Sequence, residues 1–263
     1  VELMVQLLQS RELNDGDKHT WYTSFAFLPK VTSEMVKSVL PLVNTHHKGL
    51  LGLSSLVYGY CRSNSRCSEN ANVRQFMDKL KQKLGNDCQV QSSEQFQEII
   101  YVLKSISNVG NYDSIVPTLQ LCFEKESNNI EIRLSAMNAL RRMSCDDQDS
   151  LNSLWNVYER MTTDVELRTT AFIQLMRCPD QNKFVDKLQK SINRETVNQV
   201  GSFVYSFIKS KRDSNDPTQT QLQSVFEQIR LDRRFDRDPR KYSRFTEIGH
   251  FNDKLNFGGQ IEQ

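Results

Sequence analysis

The run from Ile130 to Arg142 returns 35 residues later as Val165 to Arg177. Glu131 and Glu166, Arg133 and Arg168, Ala136 and Ala171, Leu140 and Leu175, and Arg142 and Arg177 all fall in register. A fainter copy lies upstream, where Phe96, Ile99 and Leu103 take the places of Arg133, Ala136 and Leu140 at an offset of 37. Each copy adjoins another short amphipathic stretch, so one period holds two helices. Units of this size cannot bury their apolar faces alone and do so by stacking on neighbours, which makes the period the mark of an α-solenoid. Leu140 and Leu175, on the apolar side of matching helices, are then equivalent core residues of successive repeats.

The rest of the chain reads as short helices with little strand signal. Asn14-Asp15-Gly16-Asp17 is a turn signal, and an aromatic-rich helix from Trp21 to Leu28 stops at Pro29. Thr32 is suited to cap Ser33 to Val43, with Glu34 in the first turn where a carboxylate complements the helix dipole. Glycine weakens a helix, so Gly49 and Gly52 mark a close approach of another backbone. No GxxxxGK[ST] or GxGxxG pattern supports a phosphate loop there. Val73, Phe76, Met77, Leu80 and Leu84 share one face of a helix that Gly85 stops. Ser92 and Gln95 fit a capping box for the helix bearing Phe96, Ile99, Ile100, Leu103 and Ile106. Further helices are expected at about 112–125, 129–144, 149–161, 164–177, 181–191, 195–210 and 219–229. Pro117 stands near the start of its helix, where a missing amide proton is tolerated, and Asp213 to Pro217 is a loop.

Lys and Arg number 34 against 32 Asp and Glu, a net charge of +2. Such a balance gives little drive toward nucleic acid, whose binding rests on neutralising phosphates. Some helical repeats read bases with side chains at fixed positions. Here carboxylates accompany Arg133, Arg142, Arg168 and Arg177, and no aromatic is interleaved as a stacking platform. Buried inter-repeat ion pairs or a solvated rim fit better. No apolar run approaches the ~18 residues of a transmembrane helix. With four histidines and no Ser/His/Asp, Cys/His or paired-carboxylate arrangement, no catalytic residue is assigned and the chain reads as not an enzyme. No complete Cys/His ligand set for a metal is present either. His46 and His47 are adjacent, do not share a helix face, and read as solvated imidazoles in a loop or helix start. Trp21, Tyr22, Phe25 and Phe27 read as core, with a lipid-facing surface as the alternative.

Six cysteines are compatible with either redox compartment. Cys61 and Cys67 flank a five-residue polar turn. A loop this small closes into a disulfide worth roughly 2 kcal/mol, or holds two free thiols, and spacing alone leaves both open.

The character changes after Ile229. Charges are dense from Arg230 to Arg244, with Pro239 breaking any helix, and Leu255, Phe257 and Ile261 alternate around Gly258-Gly259 as one strand entering a sheet. The other strands of that sheet are expected outside this chain. The organisation is therefore a helical-repeat region, 1–229, followed by an irregular linker and the start of a sheet, 230–263. The first residues resemble a helix cut open, so the chain reads as an excerpt of a larger polypeptide.

Several stretches, in order along the chain, resemble one family. They are Phe27-Leu28-Pro29 with Met35 to Leu42, Ser55 to Cys61 with Cys67, Ala136 to Cys145, Glu166 to Pro179, Gln199 to Val204, and Lys241-Tyr242-Ser243-Arg244. Together they resemble the helical domain of the N-terminal lipid module of the large lipid transfer proteins: vitellogenin, insect apolipophorin, apolipoprotein B and the microsomal triglyceride transfer protein. Invertebrate apolipophorin-like carriers are the nearer in flavour. The resemblance implies an all-α, double-layered, HEAT-like helical horseshoe wrapped around the base of a lipid cavity, with a short C-terminal extension entering the cavity's β-sheet. It also implies a disulfide between Cys61 and Cys67. Cys88 and Cys122 have no match and stay open. Cys145 and Cys178 hold near-equivalent repeat positions; stacked helices lie ~8–10 Å apart, whereas a disulfide wants Cα atoms within about 7 Å, so no bond between them is expected.

The function so implied is non-catalytic lipid transport or storage, as part of a secreted, extracellular lipoprotein. No cofactor is expected beyond the phospholipid and neutral lipid held by the parent protein. The partners implied are lipids, the flanking β-barrel and β-sheet regions of the same parent chain and, as an option, a second copy in a dimer. No lipid-binding residue is assigned. The alternative is an intracellular helical-repeat scaffold that binds a partner protein on its concave face. An oxidised Cys61–Cys67 pair favours the first, because persistent disulfides belong to oxidising compartments.

Overall fold

The computed structural model describes all residues except 11, 111, 179–183, 215, 239, 253 and 256. Pro179, Asn215, Pro239 and the first residues of the 181–191 helix, all used above, lie outside the described residues. The chain is mostly helical. Its α-helices are α1 (Glu2–Gln9), α2 (Asp15–Ser24), α3 (Ser33–Val39), α4 (Leu50–Arg62), α5 (Ala71–Leu84), α6 (Ser93–Val109), α7 (Val116–Glu124), α8 (Ile130–Ala139), α9 (Gln148–Glu159), α10 (Val165–Met176), α11 (Phe184–Arg194), α12 (Asn198–Arg212) and α13 (Thr220–Glu227). Two strands follow, β1 (Glu247–Asn252) and β2 (Phe257–Glu262). Two compact units are present, Val1–Ser153 and Leu154–Gln263.

In the first unit the helix starts follow from local chemistry. The side chains of Thr32 and Ser92 accept the backbone N–H of Met35 and Gln95. Gln95 in turn accepts from Gln91 N–H at 2.8 Å, so the return half of the capping box is displaced by one residue. Asn14 accepts Asp17 N–H at 2.9 Å, which corrects the turn reading of Asn14 to Asp17. Asn-Asp-Gly-Asp supplies a cap and two first-turn carboxylates, and both favour helix initiation. The aromatic helix accordingly begins earlier than expected and ends at Ser24, with Phe25–Phe27 continuing as a 3-10 turn. α4 packs against α2, and the glycines allow it: a Cβ on Gly52 would lie 1.9 Å from the Tyr22 carbonyl oxygen. α4 packs on α6 and α6 on α8, with α5 and α7 flanking α6 and α8 respectively. Leu53, Leu56, Phe76, Leu103, Ile106 and Met137 are fully buried in this core. Gly85, at φ +64°, ends α5 in a conformation that side-chain-bearing residues rarely adopt.

The second unit is built on α12, which contacts α10 and α13. Its interior is aromatic. Phe207 meets Phe172, Phe226 and Phe245 at centroid distances of 5.2, 6.2 and 4.6 Å.

The sequence repeat is visible in the hydrogen bonds of each unit. Arg133 Nε donates to the Phe123 carbonyl at 2.8 Å, and Arg168 Nε to the Tyr158 carbonyl at 2.7 Å. Donors and acceptors alike stand 35 residues apart. Asn129 and Asp164, again 35 apart, cap α8 and α10 by accepting Glu131 N–H and Glu166 N–H. Leu140 and Leu175 are both buried. Truncating either to Ala is expected to cost about 3 kcal/mol, the sum of lost transfer free energy and an uncollapsed cavity. Urea unfolding measures this, and losses under about 0.5 kcal/mol at both sites, the range of surface changes, would remove them from the core.

The C-terminal strand reading needs correction. β2 finds its partner within the chain, pairing antiparallel with β1 in a register that sets Ile248 opposite Ile261 and Asn252 opposite Phe257. β1 reads Glu-Ile-Gly-His-Phe-Asn. Its glycine and histidine interrupt the period-2 apolar pattern by which a strand is recognised.

Candidate functional site

The hairpin carries the largest group of exposed apolar side chains among the described residues. Directly paired residues of an antiparallel ladder lie on the same face, so Ile248, Ile261 and Phe257 share one face of the two-stranded sheet. They are 69%, 71% and 73% exposed, and Leu255 beside them 73%. Burying one such side chain is favourable by ~1.5–3 kcal/mol. The face is therefore chemically fitted to an apolar neighbour.

The opposite face is tied down. Glu247 and Glu262 are register partners, and two carboxylates in that position repel. The Lys211 ammonium of α12 answers both, 2.7 Å from Glu247 and in a short contact with Glu262. Ser214 Oγ donates to Glu247 at 2.6 Å. The same ammonium lies over the rings of Phe245 and Phe207 at 5.3 and 5.8 Å. Lys211 thus couples the hairpin to the aromatic interior of its unit. Sequence reasoning missed it, because a lysine near a helix C-terminus is usually solvated.

The repeat arginines are structural. Arg168, 1% exposed, places Nη2 2.5 Å from Glu195 Oε2 and Nη1 3.3 Å from Oε1, a buried bidentate ion pair. Glu195 also accepts the backbone N–H of Thr196 and Val197 at 3.0 and 2.8 Å. Desolvation pushes the neighbouring Tyr158 phenol far above its usual range. The Arg142 guanidinium lies 3.8 Å over the Tyr58 ring and donates to the Asn108 carbonyl. Arg177 donates to the Gln174 side chain.

Other candidate residues are placed as follows. Cys61 and Cys67 are joined, with Cα atoms 5.0 Å apart, and so are Cys88 and Cys122, at 5.2 Å. Cys145 and Cys178 are disulfide-bonded too, and no cysteine is free. The expectation that Cys145 and Cys178 stay unbonded is overturned. Both lie past the ends of their helices, Cys145 in a bend and Cys178 just after a turn, so the helix-axis spacing behind that expectation does not apply to them. Tyr22 and Phe25 are core, whereas Phe27 is 79% exposed. His46 is half-buried, its ring edge-on to Tyr22 at 5.8 Å, and burial pulls its pKa below the usual imidazole value. His47 Nε2 is buried, so the pair is not simply solvated. Among the described residues no group of three or more His, Cys, Asp or Glu could hold a metal ion, and no helix is long and apolar enough to cross a membrane.

The chain is thus mostly helical, carries a sequence repeat of 35 residues and has a two-stranded antiparallel hairpin with one apolar face. The family model of the vitellogenin TPR domain matches residues 1–209, and the chain belongs to that family. It is 26% identical over 267 residues to apolipophorins of Locusta migratoria, covering 100% of this chain and 8% of the relative. To apolipophorins of Drosophila melanogaster it is 28% identical over 264 residues, covering 98% and 8%. To vitellogenin of Acipenser transmontanus it is 25% identical over 267 residues, covering 97% and 16%. A solved structure of lipovitellin, described for its lipid–protein interactions, superposes with a TM-score of 0.79 at 21% identity, over 98% of this chain and 28% of that one. The chain thus spans 8% of the apolipophorins it matches.

Proposed function

We propose that this chain is the helical part of a lipid module in a secreted lipoprotein, acting non-catalytically in lipid transport or storage. In this reading 1–229 forms a double-layered α-solenoid of stacked helix pairs, and 230–263 leads into a lipid-cavity sheet. The observation that carries it is the hairpin face of Ile248, Phe257 and Ile261, exposed here and suited to further strands or to lipid. Support comes from membership in a vitellogenin domain family and from relatives that are apolipophorins and vitellogenins. Full oxidation of six cysteines fits an extracellular setting. Lipid binding of this kind needs area and no reactive group, since each Å² of apolar surface buried gains roughly 25 cal/mol.

The 263-residue chain alone is expected to fold as helix and carry little lipid, whereas a longer piece of the parent that includes the following β-region should purify with phospholipid or neutral lipid. Mass spectrometry of both preparations is the measurement. Stoichiometric lipid on the short chain, with no more on the long one, would make the helical layer itself the binding site and defeat this division of labour.

A further inference from the structure

We propose that a polar cleft beside α12 binds a phosphoryl group, the chemistry shared by inorganic phosphate and a phospholipid headgroup. The cleft, about 430 Å³, lies within the second unit, between one face of α12 and the chain from Phe235 to Gly249. Ser202 and Lys209 stand on the helix side, and Arg237 and Arg244 on the other.

The cleft's acids are already engaged. Glu247 is paired with Lys211 and accepts from Ser214. Asp213 lies 3.8 Å from the Arg212 guanidinium, and Asp236 accepts from the Tyr205 hydroxyl at 3.3 Å. The cations are not. Among the described residues Lys209 and Arg244 meet no carboxylate, and Arg237 faces only the Tyr242 ring, at 6.0 Å.

A second observation is independent of these charges. Ser202 is 5% exposed, lines the cleft, and its buried hydroxyl has no hydrogen-bond partner. Buried hydroxyls are normally satisfied, and an unpaired one is costly. The cleft therefore offers three cationic donors and a free hydroxyl, while each of its three carboxylates already faces a cation or a hydroxyl of the protein. A ligand that completes it is anionic and carries several acceptor oxygens, as a phosphoryl group does.

The inference stands apart from the lipid-carrier reading, because inorganic phosphate has no apolar surface and tests the cleft by itself. Titration calorimetry of the intact chain is run with inorganic phosphate, with monomeric dihexanoyl phosphatidic acid, and with dihexanoyl glycerol as the phosphate-free comparator. Phosphate or phosphatidic acid should bind, and the double variant K209Q/R244Q should weaken binding by roughly tenfold or more, with S202A weakening it several-fold. Binding of phosphatidic acid but not phosphate supports the site and names the headgroup as its source, and the converse names the free anion. Lys209 and Arg244 are exposed, so their replacement leaves the fold intact even where S202A fails to fold, and far-UV circular dichroism checks this. Unchanged affinity in K209Q/R244Q, equal binding of dihexanoyl glycerol, or no binding of either phosphorylated probe overturns the proposal.

Discussion

Arg168→Met is expected to lower the unfolding free energy by ~3–5 kcal/mol, the usual cost of stranding one member of a buried ion pair. Both partners are almost wholly buried, at 1% and 2% exposure, so water cannot replace the missing guanidinium. The loss extends beyond the pair. Arg168 Nε holds the Tyr158 carbonyl, and Glu195, left as an uncompensated charge, is the group that orders Thr196 and Val197 at the entry to α12. Arg168→Met combined with Glu195→Leu should cost less than the sum of the two single changes, because the desolvation of both charges disappears with them. Part of the penalty remains through the unfilled N–H groups at the start of α12. Guanidinium unfolding of the four proteins in the cycle gives the coupling. A single-variant loss below about 1 kcal/mol would mean that the pair is hydrated in solution and that the repeat arginine is a rim residue.

That pair also marks where the sequence ran out. Arg168 stood out because it recurs from Arg133, and the recurrence identified the helix and its apolar side. The period is a consequence of one supersecondary unit being copied, so every feature inside the unit is copied with it: Asn129 and Asp164 as caps, Phe123 and Tyr158 as carbonyl acceptors, Leu140 and Leu175 as core. Glu195 was not legible. It lies 27 residues from its partner in a stretch with no register to compare, and a lone Glu between helices carries no mark of burial. Lys211 failed for the same reason, since its role depends on a hairpin 36 and 51 residues further on. Glycine positions were readable because their signal is steric and local, as Gly52 against Tyr22 shows. β1 was not, because Gly249 and His250 dilute a six-residue pattern below recognition. The apolar residues of β2 were found and their exposure was not, since alternation reports a face and never what covers it.

The cysteines held a signal that spacing arguments passed over. Cys88 and Cys122 are separated by 34 residues, close to one repeat, which is the separation at which equivalent points of successive units come near each other. Removing this disulfide as Cys88→Ala with Cys122→Ala is expected to cost ~4 kcal/mol, against ~2 kcal/mol for Cys61→Ala with Cys67→Ala, because the entropy withheld from the unfolded chain grows with the loop closed. The two loops span separations of 34 and 6 residues. Both half-cystines of the longer loop are fully buried, and alanine avoids placing a new unpaired hydroxyl there. The segment has non-covalent support as well: Lys125 is paired with Asp87, and the Asn128 side chain donates to the carbonyls of Asp87 and Cys122 at 2.8 and 3.0 Å. These contacts form only in the folded chain, so they leave the entropic difference between the two loops standing. Equilibrium unfolding of both double variants under non-reducing conditions gives the comparison, after peptide mapping has established that all six cysteines of the parent are half-cystines. A smaller loss for the 34-residue loop than for the six-residue one would show that residual structure already holds Cys88 near Cys122 in the unfolded chain, and that the disulfide constrains far less than its loop length implies.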